Sequence, residues 1–412
     1  MTNEPGPSRP SKPASGTSGV ANGSGKTENG AVASGTATPA ARAQPTPGAS
    51  PFHETSQFKH WRYSREAITN LRAELNEKSK EVTARNMAAE KEAQQSLGHT
   101  FADPPPQAAY LSVEDELLLV RFYCSQCSNI CRAGFGLPEA VEATAISYIK
   151  RFYLKNSVME WHPKNIMPTA LFLAAKTTNH PVPIEAFVAK LKGFEPSDVL
   201  DLEFLVAQSL GFEFWVRGAD KPLRGWYLEF QDQAIPPTDN LQRALPAALE
   251  YLSASRYSDA EFLYSPAQIA LAAWRLANKE LVDNFLEFKY QAAEAEEGAA
   301  LPFGAPLAEL RIVLAEVEAV VAASTAKFDI KKIKEVDKRL KGCTNPEKVP
   351  GTALYIKRKA EQEAKNAEAK AEKAAKAAHA RVADDTIFGA PIASTKDGES
   401  NPPQAALDDP FA

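Results

Sequence analysis

The sequence predicts an all-α chain built of two successive five-helix units, and three observations carry that reading. Apolar residues recur at helical spacing along the middle of the chain, the segments that carry them are separated by short breaks containing Pro or Gly, and no run alternates apolar and polar residues convincingly as a strand would. A length of 412 residues is enough for two ordinary domains with sizeable cores. Part of it is unavailable for folding. The first fifty residues are Gly, Ser, Thr, Ala and Pro with almost no large apolar side chain, so they cannot bury enough surface to offset the entropy of ordering.

Taken in order, Gln57 to Lys80 reads as helix, with Ile68, Leu71 and Leu75 at helical spacing and Ser64 as a natural N-cap. The helical composition stops at Pro104, Pro105 and Pro106, which mark a boundary. Five segments follow between Ser112 and Phe214. The first runs from Ser112, a cap with Glu114, Asp115 and Glu116 in the opening turn, to Arg132. The second opens with Pro138 as first helical residue and carries Val141, Ala145, Tyr148 and Phe152 on one face. The third, Asn165 to Thr177, has no polar face until Lys176, and a helix apolar all round is surrounded by others. The fourth is the short Pro183 to Leu191 segment. The fifth starts at Ser197 as cap, with Asp198 and Asp201 near its positive end.

A similar order returns between Pro222 and Ala323: an aromatic helix around Trp226, Tyr227 and Phe230, then Leu241 to Tyr251, an apolar helix from Pro266 to Leu276, a shorter piece, and Pro306 to Ala322. Beyond it, Ile330 to Leu340 is amphipathic. Leu354 to Arg381 alternates Ala with Lys and Glu as a solvated helix or linker. The end, from Asp384, is polar and Pro-rich.

Charge and motifs narrow the function. The 47 basic residues nearly balance 52 acidic ones, and a net charge of −5 gives no general attraction to phosphate backbones or anionic membranes. No stretch approaches the roughly 18 apolar residues of a membrane helix, and no secretory signal opens the chain, so a soluble intracellular protein is expected. Four cysteines are too few for a disulfide framework. Cys124, Cys127 and Cys131 share a helix face, but structural zinc usually takes four ligands and no partner is near in sequence, so buried apolar-like thiols are expected and no metal is assigned. No phosphate-binding glycine loop, kinase signature or nucleophile with a base at catalytic spacing occurs, and neither catalytic residues nor cofactors are assigned. His162, beside Trp161, reads as a core or helix-entry histidine. In the tail helix, Lys357, Arg358, Lys359, Lys365, Lys370, Lys373 and Lys376 are interleaved with Glu361, Glu363, Glu368 and Glu372, the pattern of a salt-bridged solvated face. Two charges remain. Lys176 ends the most apolar helix and Glu203 lies among Leu202, Phe204, Leu205 and Val206; spacing alone allows a lysine serving its own helix end and a surface acid.

The run RFYLKNSVMEWHPKNIMPTALFLAAK, Arg151 to Lys176, resembles the central part of the cyclin box, specifically that of the cyclin H family. KHWRYS at Lys59 to Ser64 with LRAELNEKS resembles the amino-terminal helix of that family, LYSPAQIALAA at Leu263 to Ala273 the central helix of its second repeat, and RLKGCTNPE at Arg339 to Glu347 its carboxy-terminal helix. The resemblance implies two five-helix cyclin boxes with extra terminal helices. The corresponding divisions are a disordered tail over 1–56, a helix and linker over 57–106, cyclin boxes over 107–215 and 216–325, a C-terminal helix over 326–350, a charged helix or linker over 351–383 and a disordered tail from 384 to 412. It further implies a nuclear regulatory subunit, not itself an enzyme, that activates a cyclin-dependent kinase of the CDK-activating type. Its partners would be that kinase, a RING-finger assembly subunit and the TFIIH core, without direct nucleic-acid or membrane binding. Lys176 and Glu203 match the charged pair by which cyclins hold the kinase's αC region.

The sequence departs from the family at Asn179, where the usual acid three positions after the lysine is missing, and at Pro168, inside the third helix but within its first turn if the helix begins near Asn165. The segment Glu114 to Cys131 lacks the substrate-docking patch of cell-cycle cyclins. A TFIIB-like factor would share the fold, but its basic repeat and zinc ribbon are absent; a cyclin-fold scaffold without a kinase is supported by Asn179. Thr38, Thr46 and Ser50 each precede Pro in the low-complexity tract. Deleting residues 1–50 is expected to leave helicity, thermal stability and kinase activation unchanged, which circular dichroism and a kinase assay of the truncated chain check; loss of most of either would contradict it.

Overall fold

The computed structural model describes residues 52–96, 110–231, 238–295 and 300–387, which belong to a single compact unit. Of the tails expected over 1–56 and 384–412, residues 1–51 and 388–412 lie outside the described residues, as does the Pro104 to Pro106 boundary, while 384–387, expected to be disordered, continue the last helix. Within them the chain is helical, with no strand.

Helix begins where apolar content begins. α1 (Ser56–Trp61) is capped by Thr55, whose Oγ1 accepts from Phe58 N. The single helix expected from Gln57 is interrupted here. Arg62 turns to an extended conformation, Tyr63 N donates to Phe262 O at 2.8 Å, and Ser64 Oγ accepts from Ala67 N to start α2 (Arg65–Ser96). α2 buries polar side chains: Asn76 donates to Glu116 and Leu111 O, Asn86 to Asn345 and Glu347, and the buried Glu90 carboxylate accepts from Ala353 N and Leu354 N. That is why apolar periodicity on α2 fades after Leu75.

The first bundle opens with α3 (Val113–Asn129), started by a reciprocal capping box between Ser112 and Asp115 and closed by one π-helical turn, Ile130–Phe135. Pro138 caps α4 (Glu139–Phe152) with extended ψ rather than opening it as a helical residue. α5 (Pro163–Thr177) is the central helix, packed against α3, α4 and α7, with Ile166, Ala170, Ala174 and Ala175 at zero exposure. It begins two residues earlier than Asn165, with His162 as cap. Pro168 is therefore past the first turn, and the Lys164 carbonyl loses its helical donor; Lys164 is exposed, so water can replace that bond. The fourth segment shortens to α6 (Ile184–Val188), and α7 (Pro196–Ser209) is capped by Glu195 in a box with Asp198, not by Ser197. Glu195 wins because Pro196 is preorganised for the first helical position.

The second bundle comprises α8 (Asp220–Gln231), α9 (Thr238–Ser255), the single turn α10 (Ala260–Leu263), α11 (Pro266–Ala277), α12 (Lys279–Glu294) and α13 (Leu307–Ser324). α11 is central, packed on α8, α9, α12 and α13, and buries Trp274, whose Nε1 donates to Leu223 O at 3.0 Å. The piece expected to be shorter is α12, which at 16 residues exceeds the 12 of α11. Asn278, the residue that ends α11, caps α12 at once through Leu281 N, so the chain bends without losing helix. α14 (Ile330–Gly342) returns to the first bundle, placing Ile333, Val336, Leu340 and Cys343 in its core. α15 (Ala353–Ile387) starts on Glu90 and then has exposed side chains from Ile356 through Ala377.

A buried ionic cluster joins the bundles. Glu142 of α4 has no exposure; it accepts from Ser128 Oγ at 2.7 Å and from Arg132 Nη2 at 2.8 Å, while Arg256, between α9 and α10, approaches it at 3.5 Å. Arg256 also pairs with Glu139 and Asp220, each at 2.5 Å. Nearby, Lys150 Nζ donates to Arg256 O and Ser258 O. Removing one member of such a cluster strands its desolvated partners, at a cost of about 3–5 kcal/mol. Glu142→Gln is accordingly expected to lower the unfolding free energy by about 3 kcal/mol in a denaturant titration, whereas Lys376→Gln on the exposed tail helix changes it by less than about 0.5 kcal/mol.

Candidate binding surface

Lys176 and Glu203, far apart in sequence, are brought together: α5 and α7 pack side by side, and Lys176 Nζ lies 2.5 Å from Glu203 Oε1. The ammonium also sits over the Phe172 ring, 5.2 Å from its centroid. Lys176 does not serve its own helix end. The carbonyls there are taken by a Schellman closure, His180 N to Ala175 O at 2.8 Å and Asn179 N to Lys176 O at 3.4 Å, with Thr178 Oγ1 on Ala174 O. This closure needs a residue in the left-handed region at Asn179, which has φ 62. Asn tolerates that region better than most side chains, so the departure at 179 has a local backbone role.

The pair is half open to solvent, with side-chain exposures of 44% and 21%, and an ion pair of that kind stabilises a fold by at most about 1 kcal/mol. Its surroundings matter more. Leu200 and Phe204 share the face of α7 that carries Glu203, and Phe204 is 68% exposed. Phe212, 55% exposed, stands with its ring 6.1 Å from that of Phe204, and Trp215 is 71% exposed. Scattered exposed apolar residues are ordinary, whereas a contiguous set rimmed by charge marks an interaction surface. Phe212 also has φ 59, strained for an aromatic residue. Sequence reading singled out the two charges and missed the aromatics. The signal was there in GFEFW, Gly211 to Trp215, three aromatic residues directly after a helix-ending glycine.

The cysteines and His162 find structural places. Cys124, Cys127, Cys131 and Cys343 are all buried in the first core, and burial pushes the Cys124 thiol up to about 12 and those of Cys131 and Cys343 to about 11, the wrong direction for thiolate ligation. Among the described residues no group of three or more His, Cys, Asp or Glu side chains is arranged to hold a metal ion. His162 Nδ1 accepts from Lys164 N at 3.0 Å to cap α5, and its Nε2 lies 3.0 Å from Asp337 Oδ1 on α14. The cap requires Nδ1 unprotonated.

The two bundles match the sequence families Cyclin, N-terminal domain, over residues 129–214, and Cyclin C-terminal domain, over residues 219–345. They define the protein as a cyclin. Across 319 residues it is 33% identical to cyclin mcs2 of Schizosaccharomyces pombe, covering 76% of this chain and 92% of that one, and across 231 residues 32% identical to cyclin-H of Xenopus laevis, covering 54% and 67%. A chain of the yeast TFIIK (Kin28/Ccl1/Tfb3) complex superposes with a TM-score of 0.50 at 25% identity, covering 65% of this chain and 99% of that one. The chain belongs to the cyclin H family.

Burial holds the His162 pKa below its ordinary 6.5, against the opposing pull of Asp337. A folded pKa below the unfolded one means that the unfolded chain takes up the proton first. The stabilisation by neutral His162 is thus complete above about 6.5 and is lost as pH falls through the lower folded value. His162→Asn, which keeps a capping side chain, should therefore lose stability less steeply than the parent between about pH 7 and pH 5, as read by thermal melts across that range. Parallel pH profiles would contradict the assignment.

Proposed function

We propose that this chain is the cyclin subunit of a nuclear CDK-activating kinase and that it holds the kinase on the face formed by α5, α7 and the segment after α7, centred on Lys176 and Glu203. Membership of the cyclin H family supports the regulatory role, and the yeast relative solved in TFIIK with Kin28 and Tfb3 supports a kinase and a RING-finger assembly partner. Attachment through them to the TFIIH core, and substrates among kinase activation loops and the RNA polymerase II tail, extend the same reading. The observation that carries the binding face is an accessible ion pair set in a contiguous apolar patch. A kinase helix laid on that patch covers Leu200, Phe204 and Phe212 and offers backbone and side-chain groups to Lys176 and Glu203. Binding energy gathered there displaces the kinase's αC region inward and completes the Lys–Glu ion pair that orients the ATP phosphates. The cyclin contributes no catalytic group to the transfer.

Because the two charges pair with each other in the free chain, three variants separate folding from binding. Lys176→Glu and Glu203→Lys each set like charges together, while the double exchange restores the internal pair with reversed polarity. Thermal stability of the double variant should match the parent within about 0.5 kcal/mol. Its affinity for the kinase should fall by at least about 100-fold, because the kinase groups then meet the wrong signs in a desolvated interface. Parental affinity and activation by the double variant would sink this assignment while leaving the family intact.

A further inference from the structure

The strained Phe212 and the exposed Trp215 lie on a segment with no regular structure, Gly211 to Val216, that is tied down from two sides. Gly211 N and Phe212 N close α7 onto Gln208 O and Ala207 O. Arg151 Nη1 donates to Glu213 O at 3.3 Å and Tyr148 OH to Phe214 O at 2.6 Å, both from α4. The remaining ties come from α1. Gln57 brackets Arg217 by accepting from its N at 2.7 Å and donating to its O at 3.3 Å. Trp61 Nε1 donates to Glu213 Oε2 at 2.6 Å, and His60 Nδ1 meets the other carboxylate oxygen. Trp61 is itself held: it is 2% exposed, with Arg151 and Lys155 over its ring at 4.9 and 4.7 Å.

Glu213 thus follows Phe212 directly, lies two residues before Trp215, and is held by a six-residue helix. A loop residue in the left-handed region is kept there only when its surroundings over-determine it. α1 supplies part of that constraint through Glu213 and Arg217, and the Arg217 guanidinium lies 5.0 Å from the centroid of the Trp215 ring.

We propose that α1 acts as a splint, with Glu213 the positioning residue through which it holds Phe212 and Trp215 in the arrangement that receives the kinase. This rests on the kinase face described above. α1 need not touch the kinase; it raises the fraction of free chain already in the receiving conformation. Apparent affinity scales with that fraction, so loosening the splint until one molecule in ten or so is competent weakens binding about tenfold.

The test uses the full-length chain and its cyclin-dependent kinase. Glu213→Ala removes the grip and Glu213→Gln keeps an acceptor for Trp61; Trp61→Phe keeps the buried ring but loses the donor, and stands in should Glu213→Ala fold poorly. Expected are a fall in kinase affinity of about tenfold for Glu213→Ala and for Trp61→Phe, most of it restored in Glu213→Gln, with faster amide hydrogen exchange across 212–217 in the free chain. The deciding measurement repeats the substitutions in a Phe212→Ala/Trp215→Ala background. If α1 acts through these rings, the tenfold effect vanishes there. An equal loss in both backgrounds, or unchanged affinity in Glu213→Ala and Trp61→Phe when Phe212→Ala/Trp215→Ala does weaken binding, would overturn the splint while the kinase face stands. Unchanged affinity in Phe212→Ala/Trp215→Ala itself would overturn the kinase face, and the splint with it.

Discussion

The Glu142 carboxylate is wholly withdrawn from solvent, and much of the architecture follows from what that requires. An ionised carboxyl in a protein interior is stable only if its charge is matched and its oxygens are hydrogen-bonded. Here the matching comes from both bundles: Ser128 and Arg132 on the first, Arg256 from the second, with Arg256 carried onward to Glu139 and Asp220. Separating the bundles would break the contacts of Arg256 with Glu139 and Glu142. Two helical units that resemble each other are in this way held as one body, and the first presents its outer face on a rigid support. Arg72 with Asp259 and Lys150 with the carbonyls after α9 reinforce the join from α2 and α4.

That rigidity bears on how an activator of this kind works. A cyclin that shifts a kinase between two conformations does so only through contacts that differ between them, and a compliant surface would spend part of the binding energy on its own ordering. The helix ends around the proposed face are closed by backbone rather than by Lys176 or Glu203. Asn179 and Gly211 take the left-handed positions, and the carbonyls of Ala175, Lys176, Ala207 and Gln208 are satisfied by the closures that result. Lys176 and Glu203 are left to pair with each other at the surface, where the proposed reading has them meet the kinase.

The sequence made the helices legible because burial on one face imposes a period of 3.6, and both central helices, α5 and α11, were recognised from apolar runs bracketed by Pro. Boundaries were less legible. Whether Pro138 caps or opens a helix, and whether Glu195 or Ser197 caps the next, turns on local dihedrals that residue type only biases. α2 hid its length because its buried face is polar, with Asn76, Asn86 and Glu90 matched to groups between 35 and 264 positions away. The pairing of Lys176 with Glu203 was not readable from spacing, since it depends on how α5 and α7 pack. The apolar patch beside it was hidden for a complementary reason: Phe204 and Phe212 have core-like identities, and only tertiary structure reveals which aromatic residues the core leaves outside.

The exposed rings also separate binding from folding as the reason for this face. Each large aromatic kept in water forgoes roughly 1.5–3 kcal/mol of burial, and a left-handed Phe212 adds a backbone cost of about 1–3 kcal/mol. The neighbouring ion pair, half solvated, does not offset these penalties, and the closures that fix the helix ends would work as well with a polar residue at 204 or 215. An arrangement that weakens the free chain at several adjoining positions, while keeping each in a defined place, is favourable only where another surface completes it. The free energy withheld from folding then becomes available to association, and it lies beside the two charges proposed to meet the kinase.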